Sequence, residues 1–216
     1  MALAGGLRAQ PSGGDLCGRT VIWAAGVRDH WPSFAGARRL VGKRLFWCIA
    51  CDGWRTLGKR ILVFADRADC EGTVLQFLSY TRDITVLTQA GSALEALKPA
   101  LEAEGVPVLT GSVKRVRAEA EAPLAVELAN GPKLEADYLF SLLGSTPRVA
   151  ALAELPLELS PAGHICIDDK NHSSLRDFFA AGDVSDKHSH QVVSAAHEGA
   201  MAAQAANHVL YERIKH

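Results

Sequence analysis

The sequence lacks any apolar run long enough to cross a membrane, and its N-terminus lacks the charged and then apolar pattern of a secretory signal. It also lacks a surplus of charge of one sign, because 23 Lys and Arg side chains stand against 24 Asp and Glu side chains. Basic residues cluster only at Arg38–Arg39 and Lys43–Arg44, which we interpret as a solvated face. These absences argue against a nucleic-acid or membrane partner and favour a cytoplasmic protein.

Cysteine is scarce, and the five residues of this type do not form a disulfide framework. An odd number without framework spacing is typical of a reducing compartment, where one pair serves catalysis rather than structure. A zinc site would need a second pair of ligands at metal spacing, whereas Cys17, Cys70 and Cys166 stand alone. We therefore expect no metal site, although half a zinc site and core filler remain alternative interpretations of the other two cysteines.

Those two cysteines lie in the stretch Phe46–Gly53, where Cys48 and Cys51 are separated by two residues and Asp52 follows directly. Side chains at positions i and i+3 lie on the same side of a helical turn, so a disulfide can close between them with little movement of the backbone. A helix that begins here would favour the thiolate, which is the species that attacks a disulfide. Asp52 is placed to carry the proton, which core filler would not require. The spacing therefore predicts a redox pair.

Apolar residues make up 48% of the 216 residues, enough to bury the core of one large or two small domains. Apolar runs that end at turn residues alternate with a helical pattern, which predicts a right-handed βαβ unit and a parallel sheet. The turn Asn130–Gly131 belongs to a predicted β-meander. The predicted strands are 19–26, 59–65, 83–87, 106–109, 113–116, 125–128, 133–136, 138–144, 163–168 and 178–184, and the predicted helices are 71–80, 92–104 with a break near Pro99, and 192–214.

Four short motifs follow one another along the chain: Ala24–Ala25–Gly26, Cys48-x-x-Cys51-Asp52-Gly53, Gly144-x-x-Pro147 and Ala181–Gly182–Asp183. With these motifs in this order, the chain resembles the thioredoxin reductase family over about residues 19 to 212. The resemblance implies an α/β fold, in which a Rossmann-like three-layer nucleotide-binding domain (29–147) is inserted in a FAD-binding domain (1–28 and 148–216). It further implies that electrons pass from NADPH through FAD to the cysteine pair and on to a thioredoxin-like protein or a small-molecule disulfide, in a homodimer.

Carried over residue by residue, the resemblance implies that Cys48 and Cys51 form the redox disulfide and that Asp52 is its acid-base partner. It also implies that Asp183 binds the ribityl or pyrophosphate end of the flavin, where Gly182 lets the ligand approach the backbone. Backbone amides at the start of the last helix would meet the isoalloxazine edge and stabilise negative charge on reduced flavin. The implied cofactor-binding residues are Gly26, Gly182, Asp183, Gln191, Val192 and Val193.

Several features expected of that family are missing. Nothing before Thr20 supplies the strand and glycine-rich turn that hold the FAD pyrophosphate, so we expect an incomplete FAD-binding domain. At the nucleotide turn, Ala65–Cys70 has neither of the two expected glycines, and Asp66 and Asp69 add negative charge where the ligand is anionic. In addition, Thr88–Gly91 offers no cation to the NADP phosphate. We expect the βαβ fold to persist while NADPH binding is weakened or lost.

We therefore predict a FAD-dependent thiol-disulfide oxidoreductase, in which Cys48 and Cys51 exchange electrons with flavin and Asp52 moves the proton. One alternative is a flavin-dependent dithiol oxidase, which oxidises a small-molecule dithiol and passes the electrons to oxygen. The other is a non-catalytic fragment or partner subunit, which requires no flavin. A chain that completes the FAD-binding domain is an expected partner besides a second copy of this chain.

Overall fold

The computed structural model of the chain describes residues 2–3, 6–9, 14, 16–89, 92–120, 122–187 and 190–212. The chain divides into two compact units, of which one is Asp29–Gly144 and the other combines Met1–Arg28 with Ser145–His216. The first unit is therefore an insertion in the sequence of the second. Within the described residues, no helix combines the length and the apolar character needed to cross a membrane.

Strands and α-helices are numbered here in chain order over the described residues. The strands are β1 (Ala2–Leu3), β2 (Gly6–Ala9), β3 (Leu16–Gly18), β4 (Val21–Trp23), β5 (Val27–Asp29), β6 (Leu45–Phe46), β7 (Ile61–Phe64), β8 (Ile84–Thr88), β9 (Val108–Thr110), β10 (Val113–Arg117), β11 (Leu124–Leu128), β12 (Lys133–Ala136), β13 (Tyr138–Ser141), β14 (Ser145–Pro147) and β15 (Phe178–Ala180). The helices are α1 (Ala37–Leu40), α2 (Ile49–Asp52), α3 (Glu71–Gln76), α4 (Ser92–Ala103) and α5 (Val192–Glu212). Short 3₁₀ helices cover Gly53–Thr56, Ala68–Cys70, Phe77–Ser79 and Ala150–Leu152.

The unit Asp29–Gly144 is built on a parallel sheet with the spatial order β6-β13-β7-β8-β9. Along β7 the side chains alternate between its two faces, and all four are buried. Ile61 and Val63 pack in a core with α3 and α4, whereas Leu62 and Phe64 pack in a second core with the antiparallel meander β10-β11-β12. A sheet covered on both faces explains why its strands read as continuous apolar runs. The predicted α/β fold with a parallel sheet is confirmed.

The other unit contains the parallel pair β4 and β15, in which Val21 is paired with Phe178 and Trp23 with Ala180. Phe179 points to one side, where it packs in a core with Ala202 and Ala206 of α5. The small residues of α5 let its backbone approach the strand closely. Elsewhere in this unit β1, β2 and β3 form an antiparallel sheet, and β14 pairs with β5.

Two predicted elements differ from those of the structure. The helix expected to break near Pro99 is continuous as α4, because Leu97 and Leu101 on either side of the proline are fully buried and hold it to the sheet. The segment 163–168, predicted as a strand, makes only isolated bridges through Ile165 to Leu159 and Ser185. Its alternating pattern reflects burial of Ile165 and Ile167 rather than a ladder of strand hydrogen bonds.

Candidate active site

The cysteine pair lies directly after the edge strand β6, where the chain turns into the short helix α2. Cys48 is the N-terminal capping residue of α2, and its Sγ accepts a hydrogen bond from the backbone N–H of Cys51 at 3.1 Å. Cys48 and Cys51 form a disulfide with their Cα atoms 5.3 Å apart. Cys51 is exposed and Cys48 is partly exposed, so a thiol from solvent can reach the bond. The predicted pairing of these two cysteines is thus observed.

Asp52 is fixed next to the disulfide by its own backbone and by a side chain that the sequence analysis did not single out. Its backbone N–H donates to the carbonyl oxygen of Cys48 at 3.0 Å. Its carboxylate Oδ1 accepts a hydrogen bond from Nε of Arg55 at 2.9 Å. The sequence signal was the i, i+3 spacing of an acid and a base in a helical segment. Asp52 therefore lies where the sequence predicted it, with an arginine as its partner.

The glycine of this motif is required by packing. Gly53 has φ −56°, which any residue can adopt, but a Cβ atom there would lie 2.9 Å from Cγ1 of Ile49 and 2.9 Å from Cε2 of Tyr80. The backbone of the cysteine turn thus rests directly on the tyrosine ring. The absence of a side chain at this position lets α2 pack closely on its own unit.

Aromatic and apolar side chains surround the disulfide in sequence, and several are left to solvent. Trp54, which donates from Nε1 to the carbonyl oxygen of Cys51 at 3.0 Å, is 61% exposed, and Leu57 is 70% exposed. On the other side of the motif, the ring of Trp47 lies 5.1 Å from that of Trp31. Exposed apolar side chains next to a reactive bond are suited to contact a partner molecule.

The turn after β7, where the sequence lacks both expected glycines, has an internal structure that does not cradle a phosphate. The carboxylate Oδ1 of Asp66 accepts hydrogen bonds from the hydroxyl of Thr88 at 3.0 Å and from the backbone N–H of Gln89 at 2.6 Å. These donors lie at the end of β8, at the carboxyl edge of the sheet where such folds bind ligands. Asp66 therefore occupies, with a negative charge of its own, donors that an anionic ligand would need.

Arg67 closes the same turn from the other side. Its guanidinium pairs with the carboxylate of Asp69, which lowers the pKa of that carboxyl group. It also lies on Gly144, because a Cβ atom at this glycine would be 2.7 Å from Nη1 of Arg67. The cavity left at this sheet edge has a volume of about 90 Å³ and is lined by Trp31, Asp66 and Thr88 among others. It is far smaller than the roughly 300 Å³ or more of typical cofactor sites.

The residues expected to bind flavin lie in the other unit, after its two parallel strands. Gly26 follows β4 with φ +65° and accepts a hydrogen bond from the N–H of Arg148, and Gly182 follows β15 with φ +75°. A Cβ atom at Gly182 would make only ordinary contact, at 3.5 Å, with Ala195 of α5, so the positive φ is what favours glycine there. The partly exposed carboxylate of Asp183 makes no hydrogen bond or ion pair to any described residue.

Helix α5 begins beside that turn, with Gln191 preceding its first residue. The carbonyl oxygen of Gln191 accepts from the N–H of Ala195 at 3.0 Å and from the hydroxyl of Ser194 at 2.8 Å. Val192 and Val193 are 86% and 79% exposed, so two apolar side chains face solvent at the start of a long helix.

Glu198 of α5, which the sequence analysis missed, holds the turn after β15 in place. Its Oε2 accepts from the N–H of Gly182 at 2.7 Å and from the hydroxyl of Ser185 at 2.9 Å. A glutamate sixteen residues after Gly182 in sequence carries no local signal for this contact. The Gly182 amide is consequently used within the protein.

These residues fit part of a flavin. A carboxylate that no described residue bonds can accept hydrogen bonds from ribityl hydroxyls, and the N-terminus of α5 offers partial positive charge to an electron-rich ring edge. The exposed valines offer an apolar surface to the same ring. In the described part of this unit α5 is the only α-helix, and no other helix N-terminus is available there for a pyrophosphate. Across the described residues, no group of three or more His, Cys, Asp and Glu side chains could hold a metal ion.

A family model described as pyridine nucleotide-disulphide oxidoreductase matches residues 9–200. The chain therefore belongs to the pyridine nucleotide-disulphide oxidoreductase family, which confirms the predicted resemblance. This family is FAD-dependent, with NADPH as the usual partner.

Two curated relatives are disulfide oxidoreductases of the same kind. The chain is 31% identical over 214 residues to alkyl hydroperoxide reductase F of Pseudomonas aeruginosa, a match that covers 90% of this chain and 39% of the relative. It is 28% identical over 196 residues to thioredoxin reductase of Treponema pallidum, with 87% of this chain and 63% of the relative covered. The chain thus spans less than two thirds of the length of either curated relative.

Solved structures show the same fold. The crystal structure of HlmI superposes with a TM-score of 0.82 at 30% identity, over 95% of this chain and 64% of that one. Thioredoxin reductase from Streptococcus pyogenes superposes with a TM-score of 0.80 at 21% identity, over 93% of this chain and 68% of that one. The chain is accordingly a thioredoxin reductase-like member of a family of enzymes that act on disulfides.

Proposed function

We propose that the protein is a FAD-dependent thiol-disulfide oxidoreductase that works through Cys48 and Cys51. The observation that carries this proposal is a disulfide between two cysteines of a C-x-x-C motif, with Cys51 exposed and a carboxylate on the next residue. Its partner is a thioredoxin-like protein or a small-molecule dithiol or disulfide, for which the exposed Trp54 and Leu57 offer apolar contact surface. A dimer, or a chain that completes the FAD-binding domain, belongs to the same proposal.

The chemistry at the cysteine pair is a two-electron exchange. A substrate thiolate attacks one sulfur, the Cys48–Cys51 bond breaks, and a mixed disulfide forms. The second substrate thiol then displaces the cysteine, so the substrate leaves as a disulfide and the cysteine pair holds two electrons and two protons. Asp52 accepts and returns a proton at its carboxylate. Bound FAD, held by Asp183 and by the start of α5, would supply the acceptor for the electron pair.

NADPH is not the electron donor in this proposal. Asp66 already uses the hydroxyl of Thr88 and the amide of Gln89, and Arg67 covers Gly144, so the turn has no free cradle for a pyrophosphate. A pyrophosphate would also meet the charge of Asp66 in a cavity too small to hold a dinucleotide. The reductant is therefore a dithiol substrate.

A dithiol oxidase is the second candidate, and the closed nucleotide turn is the observation that favours it. In this variant the electron pair and two protons from each dithiol reduce oxygen to hydrogen peroxide, and no nicotinamide is consumed. The two candidates differ in the final acceptor, which is oxygen in one case and a partner disulfide in the other.

Both candidates are tested by dithiol turnover of the FAD-supplemented protein with dithiothreitol, followed with an oxygen electrode and by thiol titration. Cys48→Ser and Cys51→Ser should each abolish turnover, whereas Cys17→Ser, which removes an exposed lone cysteine, should leave it unchanged. Oxygen uptake that matches thiol loss supports the oxidase. Thiol loss that needs an added disulfide acceptor supports the reductase. Turnover that survives loss of either cysteine of the pair contradicts the proposal.

A further inference from the structure

Arg55 is held at the cysteine turn by three contacts. Its Nε donates to Oδ1 of Asp52 at 2.9 Å. Its guanidinium carbon lies 4.5 Å from the centroid of the Trp54 ring and 5.4 Å from that of Phe46. Phe46 belongs to the strand before the disulfide and is only 4% exposed, so it is a rigid support. The guanidinium thus links the strand that leads into Cys48 to the turn that follows Cys51.

The charge balance around the sulfur atoms depends on this arginine. In the stretch 45–57, Asp52 and Arg55 are the only charged residues. A carboxylate next to a cysteine disfavours the thiolate, because two negative charges repel one another across a short distance. A guanidinium bonded to the carboxylate offsets that repulsion. Reduction of the disulfide at neutral pH is easier when thiolate is favoured in the product.

The ion pair is not explained by a contribution to folding. The side chain of Arg55 is 39% exposed and that of Asp52 is 23% exposed, and pairs of this kind add little to stability. Arg55 could instead cover apolar surface with its stem, but the guanidinium itself is directed to the carboxylate. Its position therefore has its largest effect on the neighbouring sulfur atoms.

We propose that Arg55 is a positioning residue that neutralises and orients the Asp52 carboxylate, and thereby makes the Cys48–Cys51 disulfide easier to reduce. This inference rests on the proposed redox function of the same cysteine pair. The step concerned is the balanced exchange with glutathione, in which two glutathione thiols lose two electrons and two protons to form glutathione disulfide. The same electrons and protons convert Cys48–Cys51 to two thiols.

The test is the equilibrium of this exchange, measured for the purified chain in glutathione redox buffers at neutral pH and low ionic strength. The reduced fraction is trapped by alkylation and quantified by mass spectrometry. Arg55→Gln should shift the equilibrium constant toward the disulfide by about three- to tenfold, the size expected for a partly exposed charge pair. Arg55→Lys should recover part of the shift, because lysine keeps the charge but loses the planar fork and ring stacking. Arg39→Gln, which removes an exposed arginine of α1, should have no effect.

A double-mutant cycle separates the proposed role from a general effect of charge. Asp52→Asn should shift the equilibrium toward the thiols, and in that background Arg55→Gln should have little further effect. An unchanged equilibrium in Arg55→Gln, or an equal shift with and without the Asp52 carboxylate, would overturn the inference. The measurement needs neither flavin nor NADPH, so a failure of flavin-dependent turnover would refute the proposed function and leave this result readable.

Discussion

Replacement of Asp66 by alanine should destabilise the unit Asp29–Gly144, because the carboxylate is built into the turn after β7. The change removes two hydrogen bonds to one charged oxygen, from Thr88 at 3.0 Å and from Gln89 at 2.6 Å. Hydrogen bonds to charged groups contribute about 1.5–3 kcal/mol each. Two features of the structure reduce the sum. The Gln89 residue is exposed, so its N–H can bind water, and the Thr88 hydroxyl also lies 3.1 Å from the Gln89 carbonyl oxygen.

The expected loss is therefore about 2 kcal/mol for Asp66→Ala, near the value of a single charged hydrogen bond. Asp66→Asn should lose about 1 kcal/mol, because the amide oxygen still accepts but lacks the charge. Urea unfolding at neutral pH, followed by tryptophan fluorescence, measures both losses. Trp31 lines the same small cavity and reports on the local change. An unfolding free energy of Asp66→Ala equal to that of the unaltered protein would refute the account of this turn.

Three further predictions concern other sites. The pKa of Asp137 is below its ordinary value of 3.8 because hydrogen bonds from Arg60 outweigh burial, so Asp137→Asn should lower the urea midpoint at pH 7 and cost progressively less as the pH falls below about 4. Burial, and then the adjacent acid, raise the pKa of the Cys70 thiol, so iodoacetamide should modify Cys70 far more slowly than exposed Cys17 in the folded protein. Gly182→Ala should lower the free energy of unfolding by about 1–2 kcal/mol, measured by urea titration, because the residue has φ +75°.

The redox pair and the sheet could be predicted from the sequence because their signals are local. The spacing of Cys48 and Cys51 is sufficient for a disulfide across one helical turn, and the apolar runs around residues 61–64 and 84–88 have no other stable place than a buried sheet. The turn Asn130–Gly131 likewise lies between β11 and β12 of the observed meander. These elements depend on residues that are neighbours in the chain.

The interactions that complete the candidate sites could not be predicted in the same way. Glu198 reaches Gly182 across sixteen residues, and Asp66 reaches Gln89 across 23 residues, so only the folded chain brings them together. The sequence showed that Asp66 replaces a glycine, but not that its carboxylate uses the donors at the end of β8. The Arg55 contact lies within one turn and was predictable in principle from its i, i+3 spacing.

The most direct test of the proposed function is an anaerobic absorption spectrum of the purified chain with FAD added, titrated first with NADPH and then with dithiothreitol. The account predicts an oxidised-flavin band that NADPH leaves unchanged and the dithiol bleaches, with bleaching lost in Cys51→Ser. A band bleached by NADPH would contradict the closed nucleotide turn. The absence of bound flavin, or equal bleaching in Cys51→Ser, would contradict a flavin enzyme that works through this cysteine pair.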